Sequence, residues 1–148
     1  MTSPKPTTER LLNLEKIRQI KSELPDQGEF ERYLQQAQNK LRDASNQSLS
    51  ADSRFILAYD AAFALAFAAL RWHGFRPDNV RQTVFAVLDS TTNLPKAKAR
   101  FLTDCHGKRN VALYEGAEEA PESLIAELIA VTHELQSAVL TLGPVVRP

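Results

Sequence analysis

The side chains best equipped for chemistry stand close together: His106, Lys108, Arg109, Asn110 and Tyr114. On a helix that turns about 100° per residue, Leu102, His106, Arg109 and Leu113 fall on one stripe. Phe101, Cys105 and Ala112 occupy the stripe beside it. His106 and Arg109 therefore lie next to an apolar face, where a charge is costly unless it is paired or aimed at an anion. The guanidinium fork of Arg109 suits a phosphate or carboxylate. The imidazole of His106 can take or give a proton. The Tyr114 phenol can donate a hydrogen bond, and the Asn110 amide can hold a backbone or a base. Together they can bind a scissile phosphate and stabilise the charge of its transition state. A plainer reading uses the same residues. Asp60 stands in the middle of the longest apolar run, and an Asp60–Arg109 bridge would satisfy both groups and fix helix register with no further role.

The elements that must position this cluster read as helices. Apolar residues recur at helical spacing almost everywhere, and strand-type alternation is rare. A first helix is predicted over 8–24, with Leu11, Leu14, Ile17 and Leu24 apolar, before Pro25-Asp26-Gln27-Gly28 breaks it. A second spans about 29–46, with Phe30, Leu34, Ala37 and Leu41 on one stripe. Ser50 caps a third helix over 51–73, which is apolar nearly all round and so belongs at the centre; Gly74 ends it. Pro77 and Asp78 open a fourth helix carrying Val80, Val84, Val87 and Leu88. Leu94-Pro95 starts a fifth that ends near Tyr114, and Pro121 opens the last, where Leu124, Leu128, Val131, Leu135, Ala138 and Leu142 keep a seven-residue rhythm. The expected fold is all-α, an up-and-down antiparallel bundle of four to five helices. Residues 1–24 form a tail and short helix, 25–143 the bundle and 144–148 a C-terminal tail.

Composition narrows the field. The formal net charge is zero, so no global field draws in nucleic acid or an anionic membrane. One cysteine, Cys105, excludes an internal disulfide framework and fits a reducing cytoplasm. One Cys and three scattered His do not assemble a zinc site, and no metal or cofactor is expected. The run from Phe55 to Leu70 is shorter than a bilayer span and contains Asp60, so it reads as a buried core helix, with no membrane role. Lys96, Lys98, Arg100, Lys108 and Arg109 form a basic stretch that suits either a phosphate backbone or solvent, whereas Glu118, Glu119, Glu122, Glu127 and Glu134 make an acidic one. Opposite edges of this kind suit self-association. No phosphate-binding glycine loop, dinucleotide fingerprint or paired-His helix is present.

The segment Lys108-Arg109-Asn110-Val111-Ala112-Leu113-Tyr114, followed by a final helix rich in Ala, Leu and Glu, resembles the HEPN superfamily. The helix containing Tyr59-Asp60-Ala61-Ala62-Phe63 is similar to that family's alanine-rich helix, and the resemblance runs roughly over 29–142. It implies a homodimer whose motifs face each other across a cleft. In active members it implies metal-independent RNA cleavage, with the Arg holding phosphate and a His as acid or base. Many members serve in toxin–antitoxin or host-defence systems, often beside a minimal nucleotidyltransferase, and others are RNA-binding or assembly modules. This chain departs from the pattern in carrying Arg-Asn-x3-Tyr, with Tyr114 where the family's His stands. A phenol of pKa about 10 is a poor base at neutral pH; in a catalytic reading Arg109 binds phosphate and His106 or Tyr114 moves the proton. Three expectations follow from the resemblance: a binding module gripping phosphate through Arg109 and Asn110, a metal-independent ribonuclease, and a partner whose Tyr114 is modified by a nucleotidyltransferase.

Overall fold

The structure is a computed structural model that describes the backbone of residues 6–114 and 119–145 and the side chains of 9–110 and 119–145. Helices make up most of it. In chain order the elements are α1 (Pro6–Lys16), β1 (Ile20–Ser22), α2 (Gln27–Ala44), α3 (Ala51–Trp72), β2 (Phe75–Pro77), α4 (Thr83–Ala86), α5 (Leu88–Thr91), α6 (Lys96–Tyr114) and α7 (Glu122–Leu140). The class is all-α, with one small antiparallel pair of strands.

Local chemistry sets the main helix ends. Asp26 accepts from the Glu29 amide at 2.8 Å and starts α2. Ser50 accepts from the Ser53 amide and starts α3. Gly74, at φ +88°, carries the chain out of α3 in the left-handed region that a side chain disfavours. Helix α3 is long and apolar enough to cross a bilayer, as is α7, but most of α3 is buried within the bundle. It packs against α2, α6 and α7. Its alanines at 58, 61, 62, 66, 68 and 69 are fully buried and let those helices approach closely.

Two predicted elements come out differently. The first helix stops at Lys16, Arg18 takes φ +61°, and the chain returns as β1, pairing Ile20 with Pro77 and Ser22 with Phe75. Of the stripe expected over 8–24, Leu11 is buried and Leu14 packs on the core, but Ile17 and Leu24 stay exposed and Ile20 sinks in their place. Leu11 and Ile20 share the core of the bundle, so this stretch is built into it. The fourth predicted helix is two single turns, α4 and α5, broken at Val87 (φ −104°, ψ 8°). Thr83, Val84, Phe85, Val87, Leu88, Ser90 and Thr91 are all buried, a spread wider than the single apolar stripe of a surface helix. At the other end, Pro144 and Val145 are docked: Trp72 donates its indole N–H to the Gly143 and Pro144 carbonyls, and the Val145 amide donates to Gln27.

Two arginines are buried in this apolar setting. Arg54 donates to the Ala44 carbonyl at 2.9 Å and to Glu122 at 2.8 Å, joining α2, α3 and α7. Arg71, 3% exposed, donates to Glu29 at 2.5 Å and to the carbonyls of Glu23 and Leu24 at 2.9 and 2.8 Å, and pairs with the Glu23 carboxylate at 3.3 Å. Glu23 in turn accepts from Arg76 at 2.9 and 3.0 Å. That hydrogen bond holds the Glu23 carboxyl below its usual range; partial burial opposes the shift, and the charges of Arg71, Arg76 and Lys21 add to it.

Arg71→Ala is expected to cost about 3 kcal/mol, because it strands two carboxylates and two carbonyls around a vacated site; urea unfolding measures it. Glu23 supplies the pH dependence. Its carboxyl binds protons less readily folded than unfolded, so its contribution is fully present above the unfolded value and lost as pH falls through the folded one. The melting temperature of the wild type should therefore fall more steeply than that of Glu23→Gln as pH is lowered through the carboxylate range.

Candidate functional site

The middle of α3 and the second half of α6 face each other and carry the site. Helix α3 presents Tyr59 and Asp60, α6 presents His106, Arg109 and Asn110, and α2 contributes Lys40 from the other side of Asp60. Arg109 and His106 are held three apart on the edge of the α6 face that packs on α3, one turn beyond the fully buried Leu102 and Cys105.

Arg109 Nε lies 3.6 Å from Asp60 Oδ1, with both side chains a quarter to a third exposed. The bridge weighed from sequence is present, but as an ion pair without a hydrogen bond: Arg109 Nε is buried and has no hydrogen-bond partner among the described residues. Its guanidinium carbon stands 5.2 Å from the centroid of the Tyr59 ring, a cation–π contact. Asp60 also meets Lys40 Nζ at 3.9 Å. One carboxylate thus serves two cations, and the cluster keeps a positive excess.

Tyr59 organises the other half. Its hydroxyl lies 2.7 Å from His106 Nδ1, and Asn110 Nδ2 lies 3.3 Å from His106 Nε2. With the Asn110 amide donating to Nε2, the imidazole proton sits on Nδ1 and the Tyr59 oxygen accepts it. Burial pushes the Tyr59 phenol up to about 12; Arg109 pulls it down and Asp60 pushes it up, both by less. The phenol therefore stays protonated at any physiological pH. His106 is clamped at both nitrogens.

The structure brings together four of the residues singled out from sequence: Asp60, His106, Arg109 and Asn110. Lys108 is exposed and makes no ion pair among the described residues. Tyr114 closes α6, but its side chain lies outside the described residues. Cys105 is buried and its thiol is pushed up to about 12 by burial, which makes it a packed core group and not a nucleophile. Sequence reasoning missed Tyr59 and Lys40. Tyr59 had a signal, a phenol beside Asp60 in the apolar middle of its helix. Lys40 had none, since it is one of several cations on a solvated helix.

No family model, curated protein or solved structure matches this chain. The site's chemistry is therefore argued from its own geometry.

The Tyr59–His106 contact is checked by a double-mutant cycle. Tyr59→Phe and His106→Ala should show a coupling energy of about 1 kcal/mol in denaturant unfolding. Additive losses would mean that the 2.7 Å contact carries no energy of its own.

Proposed function

We propose that this chain is a HEPN-like homodimeric module that binds RNA, or a nucleotide-bearing partner, through Arg109, in a system of the toxin–antitoxin or host-defence type. The observation that carries the reading is the state of Arg109. It rests against Tyr59 with its side chain 26% exposed, it makes no hydrogen bond among the described residues, and its acidic neighbour Asp60 is divided with Lys40. A guanidinium held in place with donors to spare is preorganised for a phosphate. The placement of Arg109 and Asn110 near the end of the helix before α7 also supports it, because that is where the family resemblance puts its motif.

Binding is favoured over cleavage by His106. An imidazole engaged at both nitrogens has no free position from which to take a proton from a ribose hydroxyl. The Asp60–Arg109 pair is the observation that favours the other reading, a purely structural or interaction module in which Arg109 does nothing but fix helix register.

Opposite responses of two variants separate these. If Arg109 receives phosphate, Arg109→Ala weakens binding of a single-stranded oligoribonucleotide and lowers the slope of log affinity against log salt by about 0.7. Asp60→Asn should strengthen binding by removing the competing carboxylate. In the structural reading both variants lower the melting temperature and neither alters RNA association. Cleavage by pure wild type in EDTA, abolished in Arg109→Ala, would instead establish the ribonuclease.

A further inference from the structure

Beside the Arg109 cluster lies an open groove of about 820 Å³ between α2, α3 and the β1–β2 arm. Its volume is in the range of small-ligand sites, yet none of the residues singled out from sequence lines it except Asp60. Four cations face it, Lys21, Lys40, Arg76 and Arg81, against two carboxylates, Asp60 and Asp78. Glu23 neutralises Arg76, and Lys40 leans on Asp60. Lys21 and Arg81 are exposed and make no ion pair among the described residues, so the groove's uncommitted charge is theirs.

The floor is aromatic. Tyr33 and Phe67 have ring centroids 4.8 Å apart, and Phe63 and Phe67 6.2 Å. Arg81 places its guanidinium carbon 5.1 Å from the Phe63 centroid. A guanidinium resting on a ring has its orientation set, while its outer face and N–H edge point away from the protein. That outer face can stack a nucleobase and the edge can take a phosphate, the two contacts by which proteins hold unpaired nucleotides. Asp60 belongs both to this groove and to the Arg109 pair, so the two sites are contiguous across one carboxylate.

We propose that this groove is a second contact for single-stranded RNA, in which Arg81 stacks an unpaired base and Lys21 and Arg81 take backbone phosphates flanking the one held by Arg109. The proposal rests on the RNA-binding reading and makes it specific: the ligand is a single strand, because a duplex hides the base faces that Arg81 requires.

Fluorescence anisotropy of a labelled single-stranded oligoribonucleotide, titrated with the full chain over a range of salt, tests it. The double variant Lys21→Gln/Arg81→Gln should lower the salt slope by about 1.4, which is about 0.7 for each of two lost phosphate contacts. Arg81→Lys keeps the charge and removes the plane. It should leave the slope unchanged and weaken binding about fivefold or more, the lower end of what one stacked base contributes. Both positions are exposed, and a melting temperature equal to wild type checks that the variants fold. If Arg109→Ala abolishes binding while the double variant binds like wild type, the groove proposal is overturned and the Arg109 reading stands. If the double variant weakens binding and Arg109→Ala does not, the groove stands and the Arg109 reading falls. Duplex RNA that competes as well as single strands overturns the groove proposal, and a wild type that binds no RNA overturns both.

Discussion

The arrangement of this molecule depends on a guanidinium placed where water cannot reach it. Arg71 sits at the end of the apolar α3 and draws to itself the first turn of α2, through Glu29, and the strand-bearing arm, through Glu23 and two carbonyls. Burying that charge is costly, and only a nearly complete set of acceptors offsets the cost. The arm therefore has one place to go. Because β1 is fixed there, β2 is fixed with it, and Lys21, Arg76 and the start of the α4 segment are carried to the flank of α3 that Phe63 and Phe67 leave uncovered. Arg54 does a similar task at the opposite end, where it joins α2, α3 and α7. Two buried cations thus set the frame within which Asp60, Tyr59 and Arg109 meet.

The Arg109 cluster follows a different logic from these two. Arg54 and Arg71 donate hydrogen bonds to carbonyls and carboxylates of other elements, whereas Arg109 makes an ion pair and a ring contact but no hydrogen bond among the described residues. That contrast sets Arg109 apart from the two arginines that tie the helices together. Tyr59 gives the cluster its rigidity, since one ring supports the guanidinium on its face and the imidazole at its hydroxyl.

Much of the bundle was legible from side-chain pattern. The cap at Ser50, the stop at Gly74 and the apolar stripes of α2 and α7 are local signals, and they appear where the sequence put them. The Asp60–Arg109 pairing was also readable, because an acid inside an apolar run needs a cation within reach. The β1–β2 arm was not. Three residues a side, paired across more than fifty positions, leave no alternation to detect, and Ile17 and Leu24 mimic a helical stripe that the fold does not use. The breaking of α4 and α5 escaped for a different reason: Val80, Val84, Val87 and Leu88 keep helical spacing straight across the break at Val87. Nothing near Arg71 in sequence reveals that four acceptors from elsewhere converge on it. The groove was invisible for the same cause, being assembled from α2, α3 and an unrecognised arm.

The far end of the chain adds a constraint on the order of events. Trp72, next to Arg71, gives its indole N–H to Gly143 and Pro144, while Gln27 receives the Val145 amide from 118 positions away. Early and late segments thus converge on a single end of α3. Until residues 143–145 arrive, α2 and α3 can wind but the indole and the entry to α2 stay uncovered. Closing the bundle therefore means closing a large loop, and the alanine-rich helix at its heart is open to wrong partners until then.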